Sequence, residues 1–187
     1  LGGSDAGFLV GESATGLALA GDGRTYVTGW ANSDDFPTTL GAYERTRAGG
    51  VETFVCRLGT GGLLEWGSFL GGSRRERATA IGLAADGVIV TGRTFSDDFP
   101  TTAGASDTSF NSIFFSDDVF VSKLTLDGST LSWSTFVGGL LRDEDSGLAL
   151  DGAGAVHVTG LTRSASFPST PGSFDPSYNG ASPNDLD

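Results

Sequence analysis

The stretch at residues 33–39, S-D-D-F-P-T-T, returns unaltered at 96–102 and again as S-A-S-F-P-S-T at 164–170. Self-similarity at such a period marks a repeat architecture, and it constrains the fold more tightly than any other feature of the chain.

The sequence between the copies falls into register on them. Gly-Gly pairs set unit starts at Leu1, Leu70 and Val137, and a Thr-Gly dipeptide recurs with its glycine at Gly29, Gly92 and Gly160. From the first unit to the second these spacings are 69 and 63 residues, which places an insertion at residues 5–13 of the first. Each unit opens with a candidate strand in which large and very small residues alternate, at 16–20, 80–84 and 147–151. One face of such a strand packs bulk while the other meets a close neighbour. A Gly-rich turn leads to a second strand at 25–29, 88–92 and 156–160, where Val, Thr and aromatic residues recur at period two. The S-D-D-F-P loop follows, then a variable stretch, a third strand at 53–58 and 119–124, and a fourth at 63–69 and 131–136. The third unit stops before its third and fourth strands. The pattern predicts an all-β chain of four-stranded antiparallel β-propeller blades at 1–69 and 70–136 with a partial blade at 137–187, about two and a half blades with an open edge.

Composition narrows the function classes. The net charge is −12, carried mostly by Asp in Gly-rich and Ser-rich loops, and such a surface repels nucleic acid while tolerating divalent cations or basic partners. No apolar run approaches 18 residues, so membrane insertion is not expected. A single cysteine, Cys56, excludes an internal disulfide and leaves the compartment open. The chain has no Met, so residue 1 is not expected to be the translation start; a leader was removed or the chain is an excerpt.

The motifs Leu1-Gly2-Gly3, Tyr26-Val27-Thr28-Gly29, Asp35-Phe36-Pro37-Thr38, Phe120-Val121-Ser122-Lys123-Leu124 and Ser134-Thr135-Phe136, in that order, resemble the bacterial seven-bladed β-propeller repeat family, SBBP. The resemblance covers nearly the whole chain. It implies a scaffold in large secreted or cell-surface bacterial proteins and supplies no catalytic motif. Fewer than the roughly four blades a closed propeller needs are present, so closure is expected from further blades of the same or another chain.

His157, the only histidine, aligns with Tyr26 and Ile89 and reads as strand bulk rather than a general base. Cys56 aligns with Ser122 and reads as a small strand residue. The paired acids Asp34, Asp35, Asp97 and Asp98 offer Ca²⁺ the loop oxygens it favours, or else cap loop amides in Asx-type turns. The third copy, Ala165-Ser166, lacks both acids, which moves the architectural weight to Phe36-Pro37, Phe99-Pro100 and Phe167-Pro168. Trp66 and Trp133 share one position and read as core. Trp30, by contrast, aligns with Arg93 and Leu161, and variable residues on a rigid scaffold are where binding resides. The same argument selects Tyr43, Arg45, Arg47, Phe110, Phe114 and Phe115; the segment 109–115 reads either as an exposed contact patch or as cover for a sheet edge. The run Arg74-Arg75-Glu76-Arg77 reads as a solvated turn rather than a nucleic-acid site.

The expectation is a non-catalytic extracellular or cell-surface scaffold that binds a protein or glycan partner through variable loops, with no cofactor unless Ca²⁺ occupies the acidic loops. The alternatives are a hydrolase or lyase whose site lies in missing blades, and a subunit of a surface layer or filament.

Overall fold

The computed structural model describes Gly2, residues 11–111 and residues 116–180. The fold is all-β, with no helix among the described residues. The first sheet is β1 (Ser13–Leu19), β2 (Thr25–Ala31), β3 (Glu52–Leu58) and β4 (Leu64–Leu70). The second is β5 (Glu76–Ala84), β6 (Gly87–Thr94), β7 (Asp118–Leu124) and β8 (Leu131–Val137), and the third pairs β9 (Asp143–Leu150) with β10 (Val156–Thr162). Every pairing joins sequence neighbours antiparallel, so each sheet is a meander. The sheets stack face to face in chain order: β5 lies against β1, β2 and β3, and β9 lies against β5, β6 and β7. Among the described residues no strand follows β10. The insertion expected at 5–13 falls largely outside the described residues.

The first strand of each sheet is longer than the alternation of side-chain size predicts, since β1, β5 and β9 begin at Ser13, Glu76 and Asp143. Each carries a β-bulge, at Ala14/Gly16, Ala78/Ala80 and Asp145/Gly147, and the extra residue breaks the period-two pattern that marks a strand. The bulge also accounts for the Thr-Gly signature. A Cβ on Gly29, Gly92 or Gly160 would overlap the carbonyl oxygen of Ser13, Arg77 or Glu144 on the bulged strand opposite, so only glycine fits there.

Beyond the bulge the alternation works between sheets. A Cβ on Gly16 would sit 3.2 Å from the Ile81 side chain, and one on Gly82 would sit 3.2 and 3.3 Å from Leu150 and Leu148. The small residues of one first strand thus receive the large residues of the next. One apolar core, including Tyr26, Trp66, Val88, Phe99 and Phe120, fills the space between the first two sheets. Another gathers Ile89, Val119 and Val121 with Leu148 and Leu150 between the second and third. A third, Ala31, Phe36, Phe54, Cys56 and Phe69, belongs to the first sheet and its loop.

Candidate functional site

The repeated S-D-D-F-P loop is a structural device whose parts can now be separated. Phe36 stacks on Phe54 and Phe99 on Phe120, both at 4.5 Å between ring centroids, and both loop rings are buried. The threonines that close the loop clip it to the fourth strand: the Thr39 amide donates to the Gly67 carbonyl at 3.0 Å and the Thr102 amide to the Ser134 carbonyl at 3.1 Å. The second acid of the pair caps the chain after Gly-Gly, since Asp98 accepts from the Ser73 amide at 2.9 Å and its hydroxyl at 3.1 Å. In the third unit the Ser166 hydroxyl does the same for the Leu140 amide at 3.0 Å, so a hydroxyl substitutes for the carboxylate. Asp34 pairs with Arg47 at 2.6 Å, Asp97 lies 3.9 Å from Arg74, and Asp35 is exposed. No group of three or more His, Cys, Asp or Glu side chains placed to hold a metal occurs among the described residues.

Sequence reasoning missed a second repeated feature, a buried acid pair beside the Gly-Gly that opens the second and the third unit. Glu52 and Glu76 flank Gly71, and Asp118 and Asp143 flank Gly138. Glu76 accepts from the Gly72 amide at 3.1 Å and from the Thr94 and Ser96 hydroxyls; Asp143 accepts from the Gly139 amide at 2.7 Å and the Ser164 hydroxyl at 2.9 Å. Burial pushes the Glu52 carboxyl up to about 8 and the Glu76 carboxyl up to about 7, the second against the pull of its hydroxyl and amide donors. The signal lies in the acid that opens each third strand, Glu52 and Asp118, and in the one four residues after Gly72 and Gly139.

The variable positions Trp30 and Arg93 meet a cluster of arginines at the end of the sheets where β5 begins and β6 ends. Trp30 and Arg93 occupy one register position, opposite Ser13 and Arg77 respectively, while Leu161 lies opposite Glu144. Each reaches across to the first strand of the next sheet. The Arg77 guanidinium lies over the Trp30 ring, 4.8 Å from its centroid, and Arg93 donates to Glu144 at 3.0 Å. Arg142, entering β9, pairs with Glu144 at 2.7 Å and with Asp117 at 3.3 Å, and Arg93 lies 3.5 Å from Asp117. Burial raises the Asp117 carboxyl above its ordinary range while the two guanidiniums pull it down. Burial, with Arg75 and Arg93 nearby, lowers Arg77. Arg75, Arg77, Arg93 and Arg142 line, with Phe95, a half-open pocket of about 130 Å³.

The remaining candidates lie elsewhere. Tyr43 is half-buried against the core between the first two sheets, its amide bound to the Gly128 carbonyl at 2.8 Å, and the Arg45 carbonyl accepts from the Thr38 hydroxyl at 3.0 Å. Phe110 packs edge-on to Phe136 at 5.9 Å, while Phe114 and Phe115 lie outside the described residues. Cys56 is fully buried, which pushes its thiol up to about 12. His157 is largely exposed, 3.7 Å from Asp151. Trp66 is buried and donates to the Leu126 carbonyl at 3.0 Å, where Arg57 also donates at 2.9 Å. Trp133, its counterpart, is half-buried. No known family model matches the chain, and no curated protein is similar enough to count as a relative.

Proposed function

We propose that the chain is a run of β-propeller blades, two of four strands and one represented by its inner hairpin, acting as a non-catalytic scaffold that binds a protein or glycan partner through positions that differ between blades. The observation that carries this reading is the interleaving of the first strands. Ile81 of the second sheet and Leu148 and Leu150 of the third each pack against small residues of the preceding one. The matching residues of the first sheet, Leu17 and Leu19, are 65% and 70% exposed. Ala149, on the far side of the last sheet, is also exposed. One outer face offers bulk and the other offers small residues, which is the pairing used twice inside the molecule. The resemblance of the repeated motifs to the SBBP family favours an extracellular or bacterial cell-surface setting.

Two experiments test the reading. Sedimentation velocity should show concentration-dependent, head-to-tail self-association that the double substitution Leu17→Ser with Leu19→Ser abolishes; identical behaviour of the two proteins would remove the structural basis. A glycan array and a panel of purified surface proteins should yield a saturable ligand, and turnover of a polysaccharide or ester without one would replace the scaffold by an enzyme. The complementary outer faces also favour a second reading, a subunit of a surface layer or filament, because a head-to-tail contact that does not close a ring grows openly. Electron microscopy of the associated material separates rings from filaments.

A further inference from the structure

The geometry points to an oxyanion-binding site in the arginine-lined cavity, filled by one carboxylate, sulfate or phosphate group of a larger ligand. The inference deepens the scaffold reading, because it takes the variable positions as binding positions, yet it does not depend on ring closure.

The site is built rather than scattered. Four of the chain's eleven Lys and Arg residues line this one cavity, in a protein of net charge −12. Two of them are pre-oriented: Arg93 and Arg142 are each held by both Asp117 and Glu144. The other two, Arg75 and Arg77, have no carboxylate within 4.0 Å among the described residues. Arg77 is fixed by its stack on Trp30, and its buried Nε has no hydrogen-bond partner. Four guanidiniums face Asp117, Glu144 and, behind Arg93, the buried Asp145, so positive charge still exceeds negative around a space with an aromatic wall, Phe95. Such an arrangement costs electrostatic free energy when empty and repays it when an anion enters.

Size and geometry restrict the occupant. At about 130 Å³ the pocket suits one oxyanion group, and its open side lets the rest of a larger ligand lie outside. Guanidinium forks match planar carboxylates and the oxygens of sulfate or phosphate in paired hydrogen bonds, which a lysine cluster would not select as sharply. Arg75 is exposed at the rim, so the remainder of the ligand extends outward past it.

The test is calorimetric titration of the chain with inorganic phosphate, inorganic sulfate and glucuronate, each at a constant ionic strength maintained with chloride. Saturable binding of one anion per chain is expected for at least one probe. Preference for glucuronate assigns the site to a sugar acid, and preference for an inorganic ion assigns it to an ester of that acid. Arg75→Gln and Arg77→Gln should each weaken binding at least about tenfold, the loss expected for one charged hydrogen-bonding partner. Arg24→Gln, at the other end of β2 from Trp30, should leave it unchanged. Arg75→Gln removes only an exposed side chain, so it tests the site even where loss of the Trp30 stack alters folding. No saturation by any probe below about 10 mM, undiminished binding in both cavity variants, or an equal loss in Arg24→Gln would each overturn the assignment. An intact anion site on a chain that fails to self-associate would leave this inference standing while removing the basis for stacked blades.

Discussion

The two junctions between successive sheets are built on one plan and finished differently. In both, a carboxylate holds the second glycine of a Gly-Gly pair, through Glu76 in one and Asp143 in the other. Both also use the bulge to cross the gap: the Thr15 hydroxyl donates to the Ala78 carbonyl at 2.8 Å, and the Thr79 hydroxyl donates to Asp145 at 3.0 Å. At the sheet ends the resemblance stops, for Trp30 meets Arg77 through a ring face where Arg93 meets Glu144 through an ion pair. The repeat therefore specifies positions that are buried and hydrogen-bonded, and leaves open those where any cross-junction contact will serve. Completion differs too. Phe99 is sealed between its sheet and the one before, while Phe167, on a sheet with two strands, is 38% exposed.

This comparison can be broken most forcefully at the loop phenylalanines. Phe99→Ala should cost about 3–5 kcal/mol in urea unfolding and Phe167→Ala well under half of that; equal losses would mean that the third loop is sealed by something else. At the sheet ends, Arg93→Leu should cost about 1–3 kcal/mol, because it removes one of the two cations that pair with the fully buried Asp117 among the described residues. Trp30→Leu should cost only about 0.5–1 kcal/mol, the value of a cation–π stack, as the third unit already carries Leu161 there. A larger loss for Trp30 would make the first junction, not the second, the dependent one.

The buried acids sharpen the comparison through pH. The Glu52 and Glu76 carboxyls ionise near 4.5 in the unfolded chain and at about 8 and about 7 in the folded one, so the folded state holds more protons between these values. Their contribution is complete below pH 4.5 and is lost as pH rises to 7 for Glu76 and to 8 for Glu52. Chemical denaturation across pH 5–8 should show stability falling by up to about 1.4 kcal/mol per pH unit for each carboxyl, with Glu52→Gln flattening the decline. An unchanged slope in that variant would place the titration elsewhere. The smallest effect is expected at the loop acid: Asp98→Ser should alter stability by less than about 0.5 kcal/mol, since Ser166 already performs the same capping in the third copy.

Much of the fold was legible because each strand declares itself more than once. The Val-Thr second strands and the alternating cores of the first strands place β2, β6 and β10 and about half of β1, β5 and β9. Their beginnings are hidden by the bulge, which inserts a residue and shifts the alternation by one, so Glu76 and Arg77 read as part of a solvated turn although they open β5. The buried acid pairs were hidden differently, among many acids of which most are surface residues. Trp30 and Arg93 could be singled out by their failure to repeat, but Arg77 could not, because what it touches lies in the preceding unit. Tyr43 and Arg45 show the limit of that reasoning, since a position can vary between copies and still be occupied by core packing or a loop hydrogen bond.

The Leu126 carbonyl has a consequence for timing. Trp66 and Arg57 of the first sheet both donate to it, and it lies in the β7–β8 turn of the second, 60 residues beyond Trp66. At a synthesis rate of about 5–20 residues per second, Trp66 is made roughly 3–12 s before its acceptor. During that interval the indole lacks this acceptor, and the Arg57 guanidinium has its pairing with Glu65 alone of the two. The first sheet is thus fastened from downstream, and a translational pause between residues 66 and 126 holds it unfastened for as long as the pause lasts.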